Sequence, residues 1–263
     1  MVFDHYTPAQ SQGRSSDGVL WTRLALSRNG VDFSYVSRAP YVERGLGRHR
    51  PNNTGVFDGA LDAARSVVMA GQLETPDETW LYETGSQITH QGIVPHSWTP
   101  VAGGPWRSGV LRLRLRKNGW VSLGTRSFEW TDPPAMLHTI PMARPACGNG
   151  QELGLRLNAQ VASGGSVRVG LLDADETPLP GYALEACVPV TANDVDVPVA
   201  WHAPGPTADT AEEEQSGQGV KEEEAAGDVR LQIEMRAADL YSFELVCAPR
   251  EEVHLTEKDL LCQ

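Results

Sequence analysis

From residue 111 to 116, just after Val110, apolar and basic residues alternate one for one. Leu111, Leu113 and Leu115 fall on one side of an extended chain, and Arg112, Arg114 and Arg116 on the other. The pattern predicts a strand with one dry and one wet face, closed by a turn at Asn118-Gly119. The arginine row reads as a solvated face rather than an anion site. Similar patterns lie upstream. Residues 19–27 and 32–37 are two strand-like runs joined by Arg28-Asn29-Gly30, and Asn-Gly supplies the positive φ angles of a tight hairpin. Residues 66–73 and 79–84 flank the turn-forming Thr75-Pro76-Asp77-Glu78.

The second half continues as strands, at 152–159, 166–173, 188–191, 229–236 and 240–247. No segment of ten or more residues carries a 3.6-residue period, so the pattern predicts an all-β chain. Spacing divides it. Longer loops separate the runs up to about residue 108, and shorter, more evenly punctuated strands follow. The expected organisation is an irregular segment over 1–18, propeller-like blades over 19–108, a β-sandwich over 109–249 and a tail over 250–263.

Composition changes this picture in four places. Residues 207–227 hold seven acidic residues against Lys221, with too few apolar groups to offset the entropy of ordering; they read as a disordered insertion and solvated spacer. The formal net charge of −12 argues against nucleic acid or an anionic membrane surface as partner. The first 18 residues have no basic start followed by an apolar run, and no later stretch is apolar enough to span a bilayer. The four cysteines, Cys147, Cys187, Cys247 and Cys262, form no C-x-x-C pair, so structural zinc is not expected. Reduced, mostly buried thiols are the favoured reading, with one or two disulfides in an oxidising compartment.

Chemistry-bearing motifs are sparse. There is no Gly-x-Ser-x-Gly, no His-Glu-x-x-His and no phosphate-cradling glycine loop, so neither cofactor nor metal is expected. Asp173 and Asp175, in "LLDADETPLPGY", lack the further carboxylates of a calcium loop and read as turn formers.

The stretches "LALSRNGVDFSYVSRAPYVERG", "GVFDGALDAARSVVMAGQL" and "ETWLYETGSQITHQG" resemble the last blades of five-bladed β-propeller glycoside hydrolases of the invertase-like group. "LRLRKNGWVSL", "LGLRLNAQVASGGSVRVGLLDADETPLPGYALEACVPV" and "VRLQIEMRAADLYSFEL" resemble the β-sandwich that follows the propeller there. "SRNGVDF" is closer to this group than to the sialidase Asp box, whose spacing it fails. The resemblance implies an incomplete propeller of about two blades followed by a sandwich. It also implies that the funnel carboxylates, which come from earlier blades, are not supplied by this chain. Glycoside cleavage needs two carboxyl groups flanking the bond, so the chain alone is expected to lack hydrolytic activity.

Four residues stand as candidate sugar contacts. Asp58 and Glu83 would accept from hydroxyls, His90 matches a funnel-mouth position of the resembling propellers, and the Trp98 ring would stack on a sugar face. Three have a plainer alternative: loop capping and turn formation for Asp58, an exposed charge for Glu83, core or interdomain packing for Trp98. Where relatives carry Tyr or another neutral residue this chain has Glu83, so no catalytic role transfers to it. The competing function is a non-catalytic carbohydrate-binding or interaction module. Unpaired propeller edges would also favour association with other chains.

Overall fold

Period-two patterning yields strands almost throughout. A computed structural model describes residues 2–8, 18–49, 57–89, 107–125, 133–203 and 227–256. The chain is all-β, with several sheets, none of them closed. It divides into two units, Met1–Leu115 and Arg116–Gln263.

The first unit carries β1 (Val2–Pro8), β2 (Gly18–Leu26), β3 (Ser34–Tyr35), β4 (Gly47–His49), β5 (Phe57–Gly59), β6 (Arg65–Val68), β7 (Leu73–Glu74), β8 (Glu78–Ser86) and β9 (Ser108–Arg116). A seven-stranded sheet runs β1-β2-β6-β8-β7, with β3 on β2 and β9 on β8; β4 and β5 pair separately. Most pairs are antiparallel, and one parallel bridge, Leu20 opposite Arg65, joins β2 to β6. Leu20, Leu24, Ala25 and Leu81 line the buried side of this sheet with Ala63 and Ala64. The Thr75 turn forms as expected, with the Thr75 N–H donating to the Glu78 carbonyl at 2.8 Å.

Three expectations need correction here. Residues 2–8, expected to be irregular, form β1, because each residue finds a partner along β2 from Leu24 to Gly18. The turn at Asn29-Gly30 is wider than a tight hairpin, since strand pairing resumes only at Leu26 opposite Ser34. The Asn29 carboxamide oxygen accepts from the Val31 and Asp32 N–H groups, so a side chain closes the loop that backbone pairing would otherwise close. Finally, β9, expected to open the sandwich, pairs with β8 in the first sheet. Its alternation is as read for Arg112 and Arg114, which are exposed against half-buried leucines, whereas Arg116 is half-buried. Arg114 pairs with Glu78, and the Arg112 guanidinium lies 4.4 Å from the Trp80 ring centroid.

The second unit holds β10 (Leu123–Gly124), β11 (Ala135–His138), β12 (Gln151–Leu172), β13 (Asp194–Val199), β14 (Trp201–His202), β15 (Arg230–Pro249), the one-turn helix α1 (Arg250–Val253) and β16 (His254–Leu255). Its main sheet runs β10-β15-β12-β13, with β11 also on β15, and β14 pairs in parallel with β16. The runs at 152–159 and 166–173, expected as two strands, are one strand of 22 residues. The Gly164-Gly165 pair makes a bulge instead of a turn: register shifts between Val161 and Ser166, Gly164 sits at φ 75° and Ala237 opposite at φ 45°. A Cβ at Gly165 would lie 2.6 Å from the Arg236 and Ala237 carbonyl oxygens. Residues 188–191 contribute only a bridge, Val190 opposite Val167, while β13 was not anticipated.

Both halves of the β12–β15 ribbon feed one apolar core. Leu153, Leu155 and Leu157 meet Val167, Val169 and Leu171 around the fully buried Trp201, whose indole N–H donates to the Val169 carbonyl at 2.8 Å. The expected reduction of the cysteines also needs correction. Cys147 and Cys247 form a disulfide, because the loop before β12 brings their Cα atoms to 5.3 Å, inside the range the bond requires. Cys187 is free and buried, and burial pushes its thiol up to about 11. The acidic segment at 207–227 and Cys262 lie outside the described residues, apart from Gly227.

Candidate functional site

Glu83 is the first sequence candidate with a describable environment. Alternation on β8 turns Thr79, Leu81, Glu83 and Gly85 to the buried side, leaving Glu83 only 1% exposed. Ser66 on β6 donates its hydroxyl to the Glu83 carboxylate, and Thr22 on β2 reaches the Ser66 carbonyl at 3.4 Å. A polar line thus crosses three strands under the sheet. Desolvation raises the Glu83 pKa, the Ser66 hydrogen bond opposes this, and the charge of Asp62 adds to it. The expectation of an exposed charge does not fit Glu83: its carboxyl group is buried and bonded to Ser66. Asp58 lies on β5 with Arg48 opposite. His90 and Trp98 lie outside the described residues. Of the four candidates, only Asp58 and Glu83 lie among the described residues.

The second unit holds a cleft that no sequence motif announced. Four segments build it: the loop before β12, the first residues of β12, the turn before Tyr182, and α1 with His254. Its volume is about 820 Å³. Each wall is fixed by local chemistry. The Cys147–Cys247 disulfide ties the loop to β15. The turn is closed by the Tyr182 N–H donating to the Leu179 carbonyl at 2.9 Å and the Leu171 N–H donating to the Tyr182 carbonyl at 3.0 Å. Gly181, at φ 84°, passes so close to His254 that a Cβ there would lie 3.0 Å from the imidazole Cε1.

Glu152 centres the polar side. Its Oε2 accepts from His254 Nε2 at 2.9 Å, and Arg250 Nε lies 3.5 Å from its Oε1. The His254 pKa is lowered, first by desolvation and then by the charge of Arg250, against the pull of Glu152. The neutral ring therefore donates through Nε2, which leaves Nδ1 as an acceptor; that atom is buried and has no hydrogen-bond partner among the described residues. Tyr182 packs edge-on against both His254 and Trp201, with centroids 5.0 Å away in each case. Burial pushes its phenol up to about 12, helped by Glu152 and opposed by Arg144 and Arg250. The hydroxyl stays protonated.

Such a cleft can hold a small polar ligand through guanidinium, carboxamide and phenol groups. A metal has no obvious seat: no group of three or more His, Cys, Asp or Glu is gathered among the described residues. The Asp173 carboxylate serves its own turn, accepting from the Asp175 and Thr177 N–H groups at 2.9 Å each. Sequence reasoning missed the cleft because its polar residues span positions 144 to 254 and share no motif. The pairing of Cys147 with Cys247 was the one signal able to join them, and the sequence left that pairing open.

Comparison with known family models, characterised proteins and solved structures gives no match.

Proposed function

We propose that this chain is a non-hydrolytic part of a glycoside-hydrolase-like protein and that it binds carbohydrate rather than cleaving it. On this reading the open seven-stranded sheet stands for the edge of an incomplete propeller, and the second unit for the sandwich that follows it. One observation carries the non-catalytic half: the cleft is lined by a single carboxylate, Glu152, and that group is already engaged by His254 and Arg250. Hydrolysis needs an ionised and a protonated carboxyl on either side of the glycosidic bond. The only buried carboxylate of the first unit among the described residues, Glu83, is covered by the sheet and bonded to Ser66. The binding half rests on the concave shape of the cleft and its planar donors and acceptors, the kind of lining that small-molecule sites use to orient a ligand.

Glycan-array binding together with turnover assays on aryl glycosides tests the proposal. The expected result is retention of a glycan with no released aglycone. Turnover that disappears in Glu152→Gln would overturn the non-catalytic assignment, and an array without any bound glycan would overturn the binding one.

A further inference from the structure

The charge lining the cleft runs against that of the chain. The sequence has a formal net charge of −12, yet the cleft presents Arg144 and Arg250 against the single carboxylate of Glu152. Glu152 is committed to His254 and Arg250. Arg144 is half-buried and makes no hydrogen bond or ion pair with any described residue. A guanidinium that has given up part of its hydration is ordinarily matched to a carboxylate or another acceptor, and its flat fork fits two oxygens at once. Arg144 also lies three positions from Cys147, whose disulfide fixes this stretch of backbone. Both arginines line the same cleft as the Tyr182 phenol. The Arg250 side chain is 70% exposed, and its nearest approach to Glu152 is through Nε at 3.5 Å.

We propose that the cleft takes an acidic sugar, a uronic-acid residue whose carboxylate seats on Arg144 with Arg250 beside it. This rests on the carbohydrate-binding reading above and adds the anionic group. Gln151, at the start of β12, offers a carboxamide to the sugar hydroxyls, while the protonated Tyr182 forms an apolar edge at the floor. Glu152 sets the selectivity within the site: held by His254 and Arg250, it repels a second carboxylate and favours a ligand with one acidic group at this position.

Isothermal titration calorimetry on the full chain tests this with three probes: a uronic-acid disaccharide, its carboxyl-reduced neutral counterpart, and citrate as a carboxylate without a sugar. The disaccharide is expected to bind at least about tenfold more tightly than its neutral counterpart, the scale of a charge-assisted two-pronged contact. Arg144→Gln is expected to erase that difference, and Arg144→Lys, which keeps the charge but loses the fork, to reduce it. Both variants should melt with the wild type, because Arg144 has no partner among the described residues to lose. Equal binding of the acidic and neutral disaccharides, unaffected by Arg144→Gln, would overturn the acidic-sugar inference and leave the glycan reading standing. Citrate binding as tightly as the disaccharide would keep Arg144 as an anion site and overturn the sugar. Silence from all three probes would overturn both.

Discussion

Glu83 and His254 show how one side chain's surroundings set what it can do. Glu83 is driven toward its neutral form by burial, so its folded pKa lies above the unfolded value of 4.5. The sign follows from linkage: the folded state binds more protons between those two values, so this group's contribution is complete below pH 4.5 and is lost as pH rises through the folded value. Glu83→Gln keeps the shape and removes the titration. It is expected to melt higher than wild type at pH 7.5, with the gap closing toward pH 4.5. Glu83→Ala leaves the Ser66 hydroxyl without its acceptor and opens a void, costing about 2 kcal/mol. His254 behaves in the opposite sense. Its folded pKa lies below 6.5, pressed down by burial and Arg250 against Glu152, with the protonated Tyr182 packed alongside. The unfolded chain then takes up the proton first, so stability is complete above pH 6.5 and falls as pH drops below it. Urea melts of wild type and His254→Gln between pH 7.5 and 5 check this. Parallel curves would remove His254 from the account.

Individual strands were largely legible, and the joins between them were not. The alternation of β9 and the runs behind β2 and β8 appear in the sequence because side-chain period and burial coincide there. The runs at 152–159 and 166–173 read as two strands because nothing local shows that the glycines between them form a bulge; the deciding partner, Ala237, lies some 70 residues away on β15. The cleft was illegible for a related reason: its walls come from four separate segments held by contacts distant in sequence. Two of those contacts make element-scale predictions. The disulfide closes a separation of 100 residues, so Cys147→Ser is expected to cost about 2–5 kcal/mol, mostly by freeing the unfolded chain. Reductant should lower the wild-type denaturation midpoint toward that of the variant, and a midpoint indifferent to reductant would exclude the bond. At the turn, Gly181→Ala forces a side chain into a left-handed backbone and against the imidazole. A loss of about 1–2 kcal/mol is expected, together with a shift of the His254 ring resonances in NMR spectra.

At the scale of the molecule, apolar burial is unevenly shared between the units. The connected core of Leu153, Leu155, Val167, Val169, Trp201, Leu231 and Ile233 lies wholly within Arg116–Gln263. The described residues of the first unit bury only Leu20, Leu24, Ala25, Ala63, Ala64 and Leu81 among their apolar side chains, alongside the polar Thr22, Ser66, Thr79, Glu83, Ser86 and Thr89. Half of those six are alanines, which bury little area. Stability scales with the apolar surface withdrawn from water, at roughly 25 cal/mol per Å², and the polar line under the first sheet adds little of it. The two units should therefore differ when separated. A fragment of residues 116–263 carries its whole core, its disulfide and the cleft, and is expected to unfold in one cooperative transition and to retain ligand binding. A fragment of residues 1–115 has an open sheet with edges that favour pairing with other strands. It is expected to melt broadly and to self-associate as concentration rises, as an arc of sheet would if further blades normally complete it. Differential scanning calorimetry and sedimentation of the two fragments decide the matter: a sharp, concentration-independent transition for residues 1–115 would show that the first sheet needs no neighbour.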